Sequence, residues 1–171
     1  MRKLSITLAC ALLIIVSSLV AHAQTETFTD ANVDYTLELP SSAWRLNDRP
    51  GPDNSLVGFV YGDRTDGYLQ IRKEVVDAGV LPHNLSQRES EQKLRFLPGF
   101  IEGKEEPFSG RMNGVAFNYE YTHAGKPMAG RIYYLQADNR TIYVLRFTAL
   151  RDRLARIRNQ TDIIARSFRL K

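Results

Sequence analysis

The sequence predicts an α+β domain in which an antiparallel sheet of about six to seven strands carries helices on its faces, with a long amphipathic helix at the C-terminal end. Three observations predict it. Short runs rich in β-formers recur between clusters of turn residues. The separators late in the chain are too short for parallel crossovers, which need a dozen or more residues. Finally, Leu150, Leu154, Ile157, Thr161, Ile164 and Phe168 recur at three- and four-residue steps. At 100° per residue these positions span about 80°, one buried stripe on a helix.

The elements follow in order. Phe28-Thr29-Asp30 and Val33 to Leu39 alternate apolar and polar residues before Pro40, as two half-buried strands joined by a turn would. After Trp44, the only tryptophan, Asn47 to Asn54 is dense in turn formers and is expected to be a surface loop. Ser55 to Tyr61 and Tyr68 to Val76 are expected as a hairpin across Gly62 to Gly67. Asp63 and Asp66 in that connection lack the regular ligand alternation of a calcium loop. Ser86-Gln87-Arg88-Glu89 has the capping-box pattern, which predicts a helix from there to Leu97 with Leu94, Phe96 and Leu97 buried, stopped by Pro98-Gly99. Phe100 to Phe108, Val115 to Thr122, Arg131 to Gln136 and Thr141 to Thr148 read as a four-stranded meander.

The N-terminal end has the three-part layout of a signal peptide: Met1-Arg2-Lys3, an apolar run from Leu8 to Val16, and Ala21-His22-Ala23 before Gln24. Cleavage between Ala23 and Gln24 is expected, leaving residues 24–171 as a single domain without a membrane span, in the periplasm or secreted. The one cysteine, Cys10, lies in the leader, and Thr7 stands where a lipid-attachment motif has leucine. The exported chain is thus expected to have no thiol for a disulfide, a nucleophile or a metal. Charge is unevenly spread: Arg140 to Lys171 holds nine basic and two acidic residues, a basic pole.

The order of strand pair, single tryptophan, hairpin, helix, meander and final amphipathic helix resembles the PsbP-like superfamily. That fold is shared by a photosystem II accessory protein, a nuclear import factor and bacterial exported proteins including the DcrB type. The residues carrying the likeness are Asp30, the Tyr35-to-Pro40 strand with Trp44 close behind, the hydrophobic strand Thr141 to Thr148, and the closing Ser167-Phe168. The resemblance implies an antiparallel sheet with helices on its faces and a family whose members mostly bind or assist other proteins. It implies no active site.

Catalytic patterns are weak. Only His83 and His123 remain after the leader to serve as a base, one in an expected loop and one in a hairpin turn, and no Gly-x-Ser-x-Gly elbow occurs. Two histidines far apart offer no zinc spacing. Glu105 and Glu106 are adjacent in an expected strand, so they should point to opposite faces. No phosphate-cradling glycine motif occurs. The expectation is therefore no enzyme, no catalytic residue, no cofactor and no metal.

Two features suggest binding. Arg151, Arg153, Arg156 and Arg158 on the last helix are the candidates for an interaction surface, facing an envelope protein or an anionic lipid surface; nucleic acid is not expected. On a helical wheel Arg151 and Arg158 flank one edge of the buried stripe, Arg153 the other, with Arg156 further out, as snorkelling arginines do. The meander is also aromatic: Phe117, Tyr119, Tyr121, Tyr133, Tyr134, Tyr143 and Phe147, with Arg146. That set could line a ligand pocket or simply fill a core. The leading expectation is an exported non-catalytic accessory domain of the cell envelope. The alternative is a small-ligand or lipid-binding domain using the aromatic sheet.

Overall fold

The computed structural model describes residues 25–48 and 57–171. The leader with its Ala23–Gln24 junction, and most of the turn-rich segment after Asp48, lie outside the described residues. The strands are β1 (Glu26–Phe28), β2 (Tyr35–Leu39), β3 (Trp44–Asp48), β4 (Val57–Tyr61), β5 (Asp63–Val75), β6 (Ile101–Phe108), β7 (Gly114–His123), β8 (Lys126–Asp138), β9 (Thr141–Leu150) and β10 (Arg169–Leu170). Helix α1 (Pro82–Gln92) leads into a 3₁₀ turn at Leu94–Phe96, and α2 spans Arg151–Ser167.

Seven strands form one antiparallel sheet in the order β3-β4-β5-β9-β8-β7-β6, and β1-β2-β10 form a smaller one. Two meanders, β3 to β5 and β6 to β9, are thus joined along β5 and β9 at the centre. The fold class and the closing helix are those the sequence predicts. Two-residue turns make the hairpins possible: Ala124 and Gly125, both at positive φ, connect β7 to β8, as the right-handed strand twist requires of such a tight connection.

The alternation of the central strands feeds two cores. On one face Tyr133 and Leu135 of β8 and Tyr143, Leu145 and Phe147 of β9 pack with Leu154, Ile157, Ile164 and Phe168. On the other, Ile132, Tyr134, Ile142 and Val144 pack with Leu85 and Leu94 beside α1. A strand buried on both sides reads as a continuous apolar run, which is why Ile142 to Leu145 is apolar throughout. Beneath α2, β10 pairs with β2, Arg169 opposite Thr36, and the Ser167 hydroxyl accepts from the Glu38 N–H at 2.9 Å.

Three expectations are corrected. Helix α1 starts at Pro82, four residues before the expected cap. Proline at the first helical position loses no bond, because that N–H is free anyway, and the Asn84 side chain accepts from the Leu81 N–H at 3.0 Å. Ser86 and Glu89 are therefore buried inside the helix, and Phe96, expected in the core, is 74% exposed on the 3₁₀ turn. Asn47 and Asp48, expected to open the surface loop, instead close an edge strand that begins at Trp44, opposite Tyr61. The β4–β5 connection is also tighter than expected, since Asp63 already stands opposite Tyr61. The Asp63 carboxylate accepts from the Thr65 N–H at 2.7 Å and the Asp66 N–H at 3.0 Å, holding its own turn.

One glycine makes a checkable demand. A Cβ on Gly130 would overlap the edge of the Tyr119 ring, which is buried and receives the Arg146 Nε–H on its hydroxyl at 2.8 Å. Gly130→Ala is expected to cost about 1–3 kcal/mol, the usual range for overpacking a filled core. A lowered urea midpoint checks this, and an unchanged midpoint would show that the ring moves freely.

Candidate functional site

Helix α2 packs on β2, β5, β8 and β9. Its C-terminal half is clamped on the β6–β7 side: the Arg111 N–H donates to the Arg166 carbonyl at 3.0 Å and Arg166 Nη1 to the Ser109 carbonyl at 2.6 Å. A Cβ on Gly110 would lie 2.8 Å from the Arg166 Cα, so only glycine permits this approach. The N-terminal half stands off from β6 and β7, and a groove of about 290 Å³ opens there.

Four positions of α2 line the groove, Arg151, Leu154, Ala155 and Arg158, which are i, i+3, i+4 and i+7 on one helix face. The floor is Asn118, Glu120, Ala129 and Arg131, and the outer wall is Ile101 and Gly103 of β6. Ile101 is 60% exposed at the rim. Two ion pairs cross it: Arg151 to Glu120 at 3.3 Å and Arg158 to Glu106 at 3.6 Å. Each is half-exposed, the class of pair worth about 0–1 kcal/mol.

Arg131 and Asn118 of the floor belong to a polar network. Arg131 is buried and donates through Nε to the Tyr133 hydroxyl at 2.7 Å, through Nη1 to Asn118 Oδ1 at 2.7 Å and through Nη2 to Asp162 Oδ1 at 3.1 Å. The Tyr133 hydroxyl also bonds the Asp162 carboxylate and stands 2.9 Å from Thr161 Oγ1. Burial, only partly offset by Arg131, pushes the Tyr133 phenol far above its ordinary value, so it stays neutral. Asn118 then donates to the Lys104 carbonyl at 3.1 Å. The network thus runs from α2 through the sheet to the edge strand, where the β6–β7 register shifts between Glu102 and Glu105. Such a bulge bends an edge strand, and here it lies at the groove's outer wall.

The four candidate arginines divide into two pairs. Arg151 and Arg158 line the groove, whereas Arg153 and Arg156 flank a second depression with Tyr61, Asp66, Ile157 and Gln160. Arg153 pairs with Asp66 at 3.1 Å, and Arg156 has no ion-pair partner among the described residues. The groove floor was not legible in the sequence, because Asn118 and Arg131 look like ordinary strand residues. The one available signal is the i, i+3, i+4, i+7 spacing of Arg151, Leu154, Ala155 and Arg158.

Of the two readings open for the aromatic residues of the meander, the structure shows the core one. Phe117, Tyr119, Tyr133, Tyr134, Tyr143 and Phe147 are all buried, and their rings pack on one another and on the helices. Phe147, for example, meets Trp44 and Tyr133 edge-on. Only Tyr121 is partly exposed. Of the buried rings, Tyr119 alone among the described residues also lines the groove.

His83 Nδ1 lies 2.6 Å from Glu105 Oε1 on the exposed α1 side, while Glu106 faces Arg131 and Arg158, so the two glutamates do point to opposite faces. Among the described residues no hydroxyl is hydrogen-bonded to His83 or His123, and no three metal-ligating side chains converge. No described helix is long and apolar enough to cross a membrane.

No protein-family model matches the chain, and no curated protein matches it. Solved structures do. Cyanobacterial PsbP (CyanoP) from Synechocystis sp. PCC 6803 superposes with a TM-score of 0.60 at 12% identity, over 89% of this chain and 95% of that one. LpqN of Mycobacterium tuberculosis, described as involved in cell envelope biogenesis, superposes at 0.55 and 19% identity, over 86% and 92%. A protein of Bacteroides thetaiotaomicron gives 0.59 at 12% identity, this chain covering 49% of its length. Identities this low speak to the fold alone, and the fold of this chain is the PsbP-like one.

Proposed function

We propose that this chain is an exported, non-catalytic accessory domain of the cell envelope that acts by binding another macromolecule along α2. The observation that carries the reading is the groove: a helix face with two arginines stands off from an open sheet edge over a rigid hydrogen-bonded floor. A polar floor fixes orientation, and apolar walls supply contact area. The leader sequence, the absence of a nucleophile–base pair among the described residues, and the involvement of LpqN in cell envelope biogenesis support it.

A photo-cross-linker placed at Ala155, an exposed groove residue, tests the reading in cells. The expected outcome is a discrete adduct with one envelope protein, lost when Arg151→Glu and Arg158→Glu are combined, while the same cross-linker at Asn159 gives none. Equal adducts from both positions, or none from Ala155, would reject it. The N-terminal residue of the protein in that fraction is expected to be Gln24.

A further inference from the structure

We infer that the groove takes a peptide segment in the polyproline II conformation, carrying two acidic side chains three residues apart with apolar residues between them. The inference rests on the reading of this face as an interaction surface. Three features of the groove select that ligand.

The first is spacing. Arg151 and Arg158 stand seven residues apart on one helix face, about 10 Å at 1.5 Å rise per residue. A polyproline II chain rises about 3.1 Å per residue with three residues per turn, so side chains at i and i+3 lie on one side of it about 9 Å apart, close to that span. A fatty acid or phospholipid presents one anionic head and would satisfy one of the two.

The second is the state of the arginines. Each guanidinium commits a single nitrogen to its glutamate, Nη1 of Arg151 to Glu120 and Nη2 of Arg158 to Glu106. The remaining N–H groups have no partner among the described residues. A guanidinium offers five donors in a planar fork, so each can take a second carboxylate without giving up the first. The straps therefore present cationic edges at both ends while the glutamates behind them hold the arginines in place.

The third is what lies between the straps. Leu154, Ala155 and Ala129 form an apolar stretch with Ile101 at its rim. The outer wall is backed off where Gly103 packs on β7: a Cβ there would lie 2.5 Å from the Asn118 carbonyl oxygen. Asn118 holds that bulge in place and is itself held by Arg131. The volume of about 290 Å³ is at the small end for ligand sites, suited to the few side chains of a short segment rather than to an enclosed small molecule.

The test is a backbone-amide NMR titration of the purified protein with Ac-Gly-Glu-Leu-Val-Glu-Gly-amide, alongside the same peptide with both glutamates replaced by lysine, and with laurate. The expected result is chemical-shift change confined to Ile101, Gly103, Asn118, Ala129 and Ala155, with the acidic peptide bound at least about tenfold more tightly than the lysine peptide. Arg151→Glu with Arg158→Glu should invert that preference, since the groove then carries four glutamates at its rim. Inversion excludes simple unfolding as the cause, and the emission of the buried Trp44 gives a second check on the fold. No shift at about 1 mM acidic peptide, equal affinity for the two peptides, or laurate binding in their place overturns the inference. If the Ala155 adduct forms in cells while the acidic peptide fails, the partner chemistry is wrong and the interaction surface stands. If both fail, the surface itself is wrong.

Discussion

Trp44→Ala is expected to cost about 3–5 kcal/mol, measured as a lowered urea midpoint by far-ultraviolet circular dichroism. The side chain is 2% exposed. Its ring meets Phe147 edge-on at 5.9 Å and Tyr61 at 5.3 Å, and its indole N–H donates to Gln160 Oε1 at 3.0 Å. One residue thus ties the edge strand β3 to the central strand β9 and to α2, and truncation opens a cavity where three elements meet. Domains of this kind are stable by about 5–15 kcal/mol, so the loss takes a large part of the total. Trp44→Phe keeps the ring contacts and loses the indole bond, and should cost about 1–2 kcal/mol. A loss below about 1 kcal/mol for the alanine variant would mean that β3 is held mainly by its ladder to β4 rather than by this anchor.

The sequence signals that succeeded were those of long range in one dimension. Leu154, Ile157, Thr161 and Ile164 repeat with the helical period, and all four are buried on α2. Four strands separated by short turns could only be an antiparallel meander, and β6 to β9 are one. The signals that failed were local patterns with two physical meanings. Asn47 and Asp48 are turn formers by composition, yet they continue an edge strand, where solvent on one side tolerates polar residues. The candidate site was legible only in part. Arg151 and Arg158 could be placed on one helix edge, but the wall opposite them depends on where β6 and β7 lie relative to α2. That placement is set by the seven-strand order and by the close approach of Gly110 to Arg166. No spacing within β6, β7 or β8 encodes it.

The groove and the core also make separable demands on the same strands. Tyr133 and Asn118 sit on the α2 face and hold Arg131, while their neighbours Tyr134 and Phe117 turn to the α1 face and fill the second core. Burial pushes the Tyr119 phenol up to about 12 despite the guanidinium of Arg146 beside it, so it too remains a neutral hydrogen-bonding group. Neither Arg151 nor Arg158 gives a side-chain hydrogen bond to the Arg131 network among the described residues, so charge variants there should report on binding rather than folding.

The pattern Ser86-x-x-Glu89 shows most sharply how a local signal misleads, and it supplies the other large expected effect: Glu89→Ala should cost about 3–5 kcal/mol. As a capping box, Glu89 would bond the start of its own helix. Instead its carboxylate is buried and accepts from Arg72, from Lys93 Nζ at 3.0 Å and from the Tyr134 hydroxyl at 2.9 Å, pinning α1 to β5 and β8. Its removal strands a guanidinium and a buried phenol at once. The Ser86 hydroxyl has no hydrogen-bond partner among the described residues, so Ser86→Ala should be neutral or slightly stabilising, whereas loss of a true cap would cost about 1 kcal/mol. Burial raises the Glu89 carboxyl, but Arg72, Lys93 and Tyr134 together outweigh it and hold it below its ordinary 4.5. A carboxyl depressed in the folded state stabilises fully above its unfolded value and loses that contribution as pH falls through the folded one. The stability gap between the wild-type chain and Glu89→Gln should therefore be constant from neutral pH down to about 4.5 and shrink below it. A gap that does not change with pH would mean that the carboxylate's charge contributes nothing, and that α1 is held by Leu85 and its other contacts to the sheet.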